Sequence, residues 1–121
     1  MLLSHIDLRV RNRAVAEAFY DALLSPLGAV IDRGATFTTW QIGTEPTADW
    51  FGITEDAAMT PNALRVAFAA PSRGTVDAIG TILHAIGARN IELPDEAYGP
   101  TYYGCFFEDP DGNKLEVCYI G

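Results

Sequence analysis

Basic residues and long apolar runs are both scarce in this chain. Seven Arg and one Lys stand against sixteen acidic residues, giving a formal net charge of −8 over 121 residues. Such a surplus of negative charge repels phosphate backbones and anionic lipids, so we expect no nucleic acid and no membrane among the partners. No apolar run approaches the roughly 20 residues of a spanning helix, and residues 1–6 lack the features of a signal peptide. We therefore expect a cytoplasmic protein.

Cysteine and histidine are also few. Cys105 and Cys118 form neither a disulfide framework nor a motif with metal spacing, and we predict two free, buried thiols on opposite faces of one sheet. His84 falls in a predicted helix, where we expect it on the surface or at an interface. His5 falls in the first predicted strand, on the same face as Asp7.

The order of predicted elements occurs twice. A strand at 3–10, a helix capped by Asn12 and three further strands are followed by a strand at 63–70, a helix capped by Ser72 and three more strands. A shift of 60 residues superposes His5 on Arg65. The sequence therefore predicts an α+β fold in which two βαβββ repeats, residues 1–57 and 62–121, form one domain. We expect curved mixed β-sheets around a cavity, with one helix packed on each.

The turn before the last strand sets a register. Pro110, Asp111 and Gly112 suit a three-residue hairpin loop that ends on a left-handed glycine. That loop places Phe106 opposite Glu116. The last strand is therefore expected to carry a carboxylate beside an aromatic ring.

Together, the repeat and the segment DPDGNKLE at 109–116 resemble the vicinal oxygen chelate superfamily. This superfamily includes glyoxalase I, extradiol dioxygenases, fosfomycin-resistance enzymes and bleomycin-resistance proteins. In its metal-using members, a His on the first strand, a His on the fifth and a Glu on the last hold a divalent metal, often with a fourth ligand from the fourth strand. The metal then chelates two neighbouring oxygens of the substrate.

The resemblance makes His5 and Glu116 the candidate catalytic and metal-binding residues. Arg65 occupies the fifth-strand position, and its guanidinium offers only donors and cannot ligate a cation. The fourth-strand counterpart falls at Phe51 or Gly52, and neither is a ligand. Because two ligands rarely hold a catalytic metal, we expect no cofactor, with a divalent metal as the open alternative.

Four residues are the candidate ligand contacts: Arg65, Tyr102, Phe106 and Phe51. We expect Arg65 to pair with Glu116 in place of the metal charge and to offer its remaining donors to a ligand carboxylate or phosphate. The loop from Pro94 to Pro100 is either a lid or only a crossover.

Two functions remain open at this stage. The first is a small-molecule-binding protein like the bleomycin-resistance proteins, with a degenerate metal site. The alternative is a metal-dependent lyase or dioxygenase of the glyoxalase I (lactoylglutathione lyase) or extradiol type, so the sequence does not decide whether the chain is an enzyme. Exposed sheet edges also predict a homodimer.

Overall fold

The computed structural model describes residues 3–121, in two units that meet in the chain between Thr60 and Pro61. Each unit contains one α-helix and a four-stranded sheet. The strand–helix–three-strand order that the sequence predicts is confirmed in both halves.

The element bounds follow the repeat. The first unit contains β1 (His5–Val10), α1 (Arg13–Leu24), a short 3-10 helix (Ser25–Leu27), β2 (Val30–Arg33), β3 (Phe37–Ile42) and β4 (Asp49–Glu55). The second contains β5 (Arg65–Ala69), α2 (Arg73–Ile86), β6 (Arg89–Asp95), β7 (Tyr102–Glu108) and β8 (Lys114–Ile120). No helix within residues 3–121 is long and apolar enough to cross a membrane.

Both sheets are mixed and have the same topology. Their strand orders are β1-β4-β3-β2 and β5-β8-β7-β6. The first strand of each unit pairs in parallel with the last, and the remaining neighbours pair antiparallel. The helix that follows each first strand makes this parallel return possible.

The helices begin where the sequence predicts. The Asn12 side chain accepts a hydrogen bond from the main-chain N–H of Val15, and Ser72 caps α2 in the same way. Gly87 ends α2 with a left-handed φ of 96°. Val15, in the first turn of α1, is 55% exposed. It precedes buried Ala16, and one residue rotates a side chain by about 100° around a helix.

The β7–β8 hairpin has the predicted register. Phe106 lies opposite Glu116, and Glu108 lies opposite Lys114. The second pair forms a salt bridge, with 3.1 Å between Lys114 Nζ and Glu108 Oε2. The loop at 110–112 ends on a glycine with positive φ, as expected.

The carboxylate of Asp109 organises this turn from within. Asp109 is fully buried, and its Oδ1 accepts hydrogen bonds from the main-chain N–H groups of Asp111 and Asn113, each at 2.9 Å. Its Oδ2 accepts a third bond, at 2.8 Å, from the side-chain amide of Asn113. A buried donor that loses its acceptor is costly, so the turn conformation depends on this side chain.

We expect Asp109→Ala to lower the free energy of unfolding by about 2–4 kcal/mol, because it removes a buried carboxylate that accepts three hydrogen bonds from part-buried donors. Urea denaturation followed by circular dichroism measures the change. Glu92→Ala, at an exposed position of β6, is the control and should stay within about 0.5 kcal/mol of the parent. Equal losses in the two variants would contradict a special role for Asp109.

Candidate functional site

The side chains of β7 alternate between two faces of the second sheet. Tyr103 donates a hydrogen bond from its hydroxyl to Asp77 of α2, at 2.6 Å, so the face that carries Tyr103 is the helix face. Tyr102 and Phe106 lie on the opposite face, together with Glu116. The candidate residues of this unit therefore share the face that the helix leaves uncovered.

Glu116 is a buried carboxylate held by a neutral donor. The Tyr102 hydroxyl donates to Glu116 Oε2 at 2.8 Å, and the two residues are 6% and 9% exposed, respectively. Burial raises the pKa of Tyr102 well above its usual value, and the hydrogen bond to Glu116 raises it further. The phenol consequently stays protonated and remains a hydrogen-bond donor.

Arg65 does not pair with Glu116, contrary to our expectation. Its Nη1 donates to the main-chain carbonyl of Leu115 at 2.9 Å, and its Cζ lies 4.9 Å from the centroid of the Phe106 ring. The register explains the difference, because the parallel pairing places Arg65 beside Lys114, two residues before Glu116. In the part of the chain that the structure describes, Arg65 forms no ion pair.

The Phe106 ring belongs to a cluster of three aromatic rings. The rings of Tyr102 and Phe106 lie 6.5 Å apart and nearly parallel, at 24°. Tyr98, from the loop before β7, stands edge-on to both, with centroid distances of 4.8 Å to Tyr102 and 6.1 Å to Phe106. Tyr98 is 73% exposed and is not among the ligand contacts that the sequence predicts. Its place in a loop just before an aromatic strand was the available signal.

Gly104 makes the Tyr102–Glu116 bond possible. A Cβ at this position would overlap the Tyr102 hydroxyl oxygen and would lie 2.8 Å from the Cβ of Cys118. Any larger residue must therefore displace Tyr102. The absence of a side chain at Gly104 is a steric requirement of the site.

His5 lies in the first unit, in a polar patch with Asp7. The side chains of His5 and Asp7 both lie close to the backbone of Gly52. A Cβ added to this glycine would be 3.3 Å from His5 Nε2 and 3.3 Å from Asp7 Oδ1. Asp7 Oδ1 also accepts a hydrogen bond from the Thr54 hydroxyl at 2.8 Å. The expected sharing of one face by His5 and Asp7 agrees with this geometry.

Phe51 lies elsewhere than we expected. It is 6% exposed, and its ring lies 4.9 Å from that of Tyr20 in α1 and 6.1 Å from that of Trp40. The β1–β4 and β5–β8 registers coincide when Gly52, and not Phe51, corresponds to Glu116. Phe51 belongs to the core beneath α1, and we leave it out of the candidate ligand contacts.

The thiols and the second histidine take no part in the arrangement as nucleophiles or ligands. Cys105 and Cys118 are free, buried and on opposite faces, as predicted. Burial raises the pKa of Cys105 to about 11, and burial together with the Glu116 carboxylate raises the pKa of Cys118. Both thiols therefore stay protonated near neutral pH. His84 is exposed on α2, as expected.

The positions that the resemblance assigns to metal ligands hold two side chains that can bind a cation, His5 and Glu116. No three His, Cys, Asp or Glu side chains within residues 3–121 are grouped so that they could hold an ion. The Arg65 guanidinium offers donors only, and one oxygen of Glu116 is already bound by Tyr102. A catalytic zinc site usually needs three protein ligands, and this donor set falls short of that number.

Comparison with known proteins identifies the family. Residues 2–117 match the family model of the Glyoxalase/Bleomycin resistance protein/Dioxygenase superfamily, and the chain belongs to this superfamily. A comparison with curated proteins gives no match. The resemblance that the sequence suggested is thus confirmed.

Solved structures share the fold. A glyoxalase/bleomycin resistance protein from Albidiferax ferrireducens T118 is 29% identical, with a TM-score of 0.83 and coverage of 100% of both chains. A family enzyme from Burkholderia phytofirmans PsJN is 19% identical, with a TM-score of 0.76 and 98% of each chain covered. The fosfomycin resistance protein FosX from Listeria monocytogenes is 19% identical, with a TM-score of 0.70 over 98% of this chain and 93% of that one. The last two likenesses concern the fold alone.

We expect Tyr102 to resist ionisation in the folded protein. An absorbance titration compares the phenolate signal of the parent with that of Tyr102→Phe. In urea, where both are unfolded, the parent should show the additional signal of one tyrosine at about pH 10. In the folded proteins at the same pH, the two signals should be equal. Because the folded pKa lies above the unfolded one, the stability contributed by Tyr102 is complete below that pH and is lost as the pH rises above it. An equal phenolate difference in folded and unfolded protein would contradict the assignment.

Proposed function

We propose that this chain is a small-molecule-binding protein of the glyoxalase/bleomycin-resistance type with a degenerate metal site, in which Arg65 replaces the fifth-strand histidine. The ligand lies on the uncovered face of the second sheet and contacts Arg65, Tyr102 and Phe106. One observation carries this proposal: an arginine without an ion pair among the described residues lies against an aromatic ring, beside a carboxylate that is already satisfied.

Arg65 supplies the anion-binding part of the site. A guanidinium has five N–H donors in a planar fork, and the hydrogen bond to the Leu115 carbonyl uses one of them. Contact with the Phe106 ring restricts the orientation of the remaining donors. Arg65 is exposed, so a carboxylate or phosphate can reach these donors and accept two parallel hydrogen bonds.

The aromatic rings supply the apolar part. The rings of Tyr102 and Phe106 stand nearly parallel on one face of β7, on either side of Gly104, and the Tyr102 phenol lies over this glycine. A planar apolar body fits against such rings by offset or edge-on contact. The ligand class that satisfies both parts is a planar aromatic anion.

The hydrogen bond between Glu116 and Tyr102 fixes the position of one ring on this surface. A buried carboxylate without a cation needs donors, and Tyr102 provides one only in the orientation that places its ring on the face of the site. Glu116 therefore acts on the ligand through Tyr102, as a positioning residue. The negative charge of Glu116 also disfavours the anionic group of a ligand next to its carboxylate.

We expect Arg65→Gln to weaken binding of 2-naphthoate roughly tenfold or more, since a hydrogen bond to a charged group contributes about 1.5–3 kcal/mol. Isothermal titration calorimetry measures the dissociation constants. Arg89→Gln is a matched control: Arg89 also donates to a main-chain carbonyl, that of Pro110 at 3.3 Å, but makes no described contact with Phe106. This variant should bind as the parent does.

A charge-reversed probe makes the test specific. Naphthalen-2-ylmethylamine has the same rings with a positive charge, and its binding should not weaken in Arg65→Gln. A parent that does not bind 2-naphthoate would overturn the proposal. Stoichiometric Ni, Zn, Mn or Fe after purification without a chelator would also overturn it, in favour of a metal-dependent lyase or dioxygenase.

A further inference from the structure

One arginine of α2 holds the loop between β6 and β7 on both sides of Tyr98. Nη1 of Arg73 lies 2.7 Å from Oε2 of Glu96, and Nη2 donates to the main-chain carbonyl of Pro100 at 2.8 Å. Glu96 precedes Tyr98 by two residues, and Pro100 follows it by two. The planar fork of the guanidinium therefore spans the loop and fixes the position of the residue at its tip.

Arg73 is itself held in place by the helix face of the sheet. Its Cζ lies 4.8 Å from the ring centroid of Tyr103, whose hydroxyl is bonded to Asp77. The hydrogen bond to the carboxylate raises the pKa of Tyr103, so the hydroxyl stays a donor. Ring stacking and two loop contacts together determine one conformation of the Arg73 side chain.

The loop has hydrogen bonds of its own that agree with this arrangement. The N–H of Gly99 donates to the Glu96 carbonyl at 3.0 Å, and the N–H of Tyr102 donates to the Gly99 carbonyl at 3.1 Å. Gly99 has a φ of 110°, a conformation that side chains other than hydrogen rarely allow. These bonds link the tip of the loop directly to the first residue of β7.

Part of the Tyr98 ring packs against two other rings, and the rest is exposed to solvent. The ring of Tyr98 meets both Tyr102 and Phe106 edge-on, at 76° and 81°. The residue is nevertheless 73% exposed, which is unusual for an aromatic side chain packed against two others. Its ring forms the outer side of the aromatic cluster.

From this geometry we infer that Tyr98 contacts the ligand directly and that Arg73 is the residue that positions it. The inference rests on the proposed function and deepens it, because it makes the site select aromatic over saturated anions. A planar molecule that packs on this aromatic cluster meets the exposed Tyr98 ring, and a preset ring costs less entropy on binding than a mobile one.

Two probes and two variants of Tyr98 test the contact. We expect Tyr98→Ala to weaken 2-naphthoate binding roughly threefold to tenfold, the range of an aromatic pair. Tyr98→Phe should bind as the parent does, since the ring is kept. Cyclohexanecarboxylate has the same charge without an aromatic ring, so its affinity should be nearly equal in the parent and in Tyr98→Ala.

A double-mutant cycle tests the role of Arg73. Arg73→Gln should weaken naphthoate binding in the parent background and cause no further loss in the Tyr98→Ala background, because Arg73 acts only through Tyr98. Equal losses in both backgrounds would overturn the positioning role. Thermal melting of each variant confirms that it is folded at the titration temperature.

The outcomes separate this inference from the proposed function. If Arg65→Gln weakens naphthoate binding while Tyr98→Ala binds as the parent does, the inference fails and the proposed function stands. If the parent binds no naphthoate, both fail. If Tyr98→Ala weakens both anions equally, the aromatic selectivity is wrong.

Discussion

A carboxylate that leaves water must find donors, and the second unit is arranged around that requirement at Glu116. The donor is the Tyr102 phenol, which is neutral, and not the nearby guanidinium of Arg65. Two consequences follow for neighbouring positions. The phenol lies across Gly104, where no side chain can be accommodated, and Arg65 keeps donors that a salt bridge would have occupied.

Features that depend on local chemistry could be predicted from the sequence. A proline and a left-handed glycine specify the three-residue loop at 110–112, and the loop specifies which residues face each other across the hairpin. Helix caps at Asn12 and Ser72 are similarly local, because each depends on one side chain and a main-chain N–H three residues later. The repeat then extended these local predictions to the topology of both units.

Two of the errors arose where parallel strands meet. A turn does not set the register of β5 against β8, because the two strands are far apart in the chain and are joined through a helix and two other strands. In the observed register Arg65 lies beside Lys114, two residues before Glu116, and it contacts Leu115 and Phe106 instead of Glu116. The choice between Phe51 and Gly52 depended on the equivalent β1–β4 register. Tyr98 was missed because a tether from Arg73, which no local pattern specifies, determines its position.

Duplication gives this arrangement an evolutionary consequence. His5 corresponds to Arg65 and Gly52 corresponds to Glu116, so the two repeats have diverged at equivalent positions. The contacts described for Arg65, Tyr98, Tyr102 and Glu116 all lie within Pro61–Gly121. Divergence among close homologues should accordingly be slower at these positions of the second repeat than at the matching positions of the first.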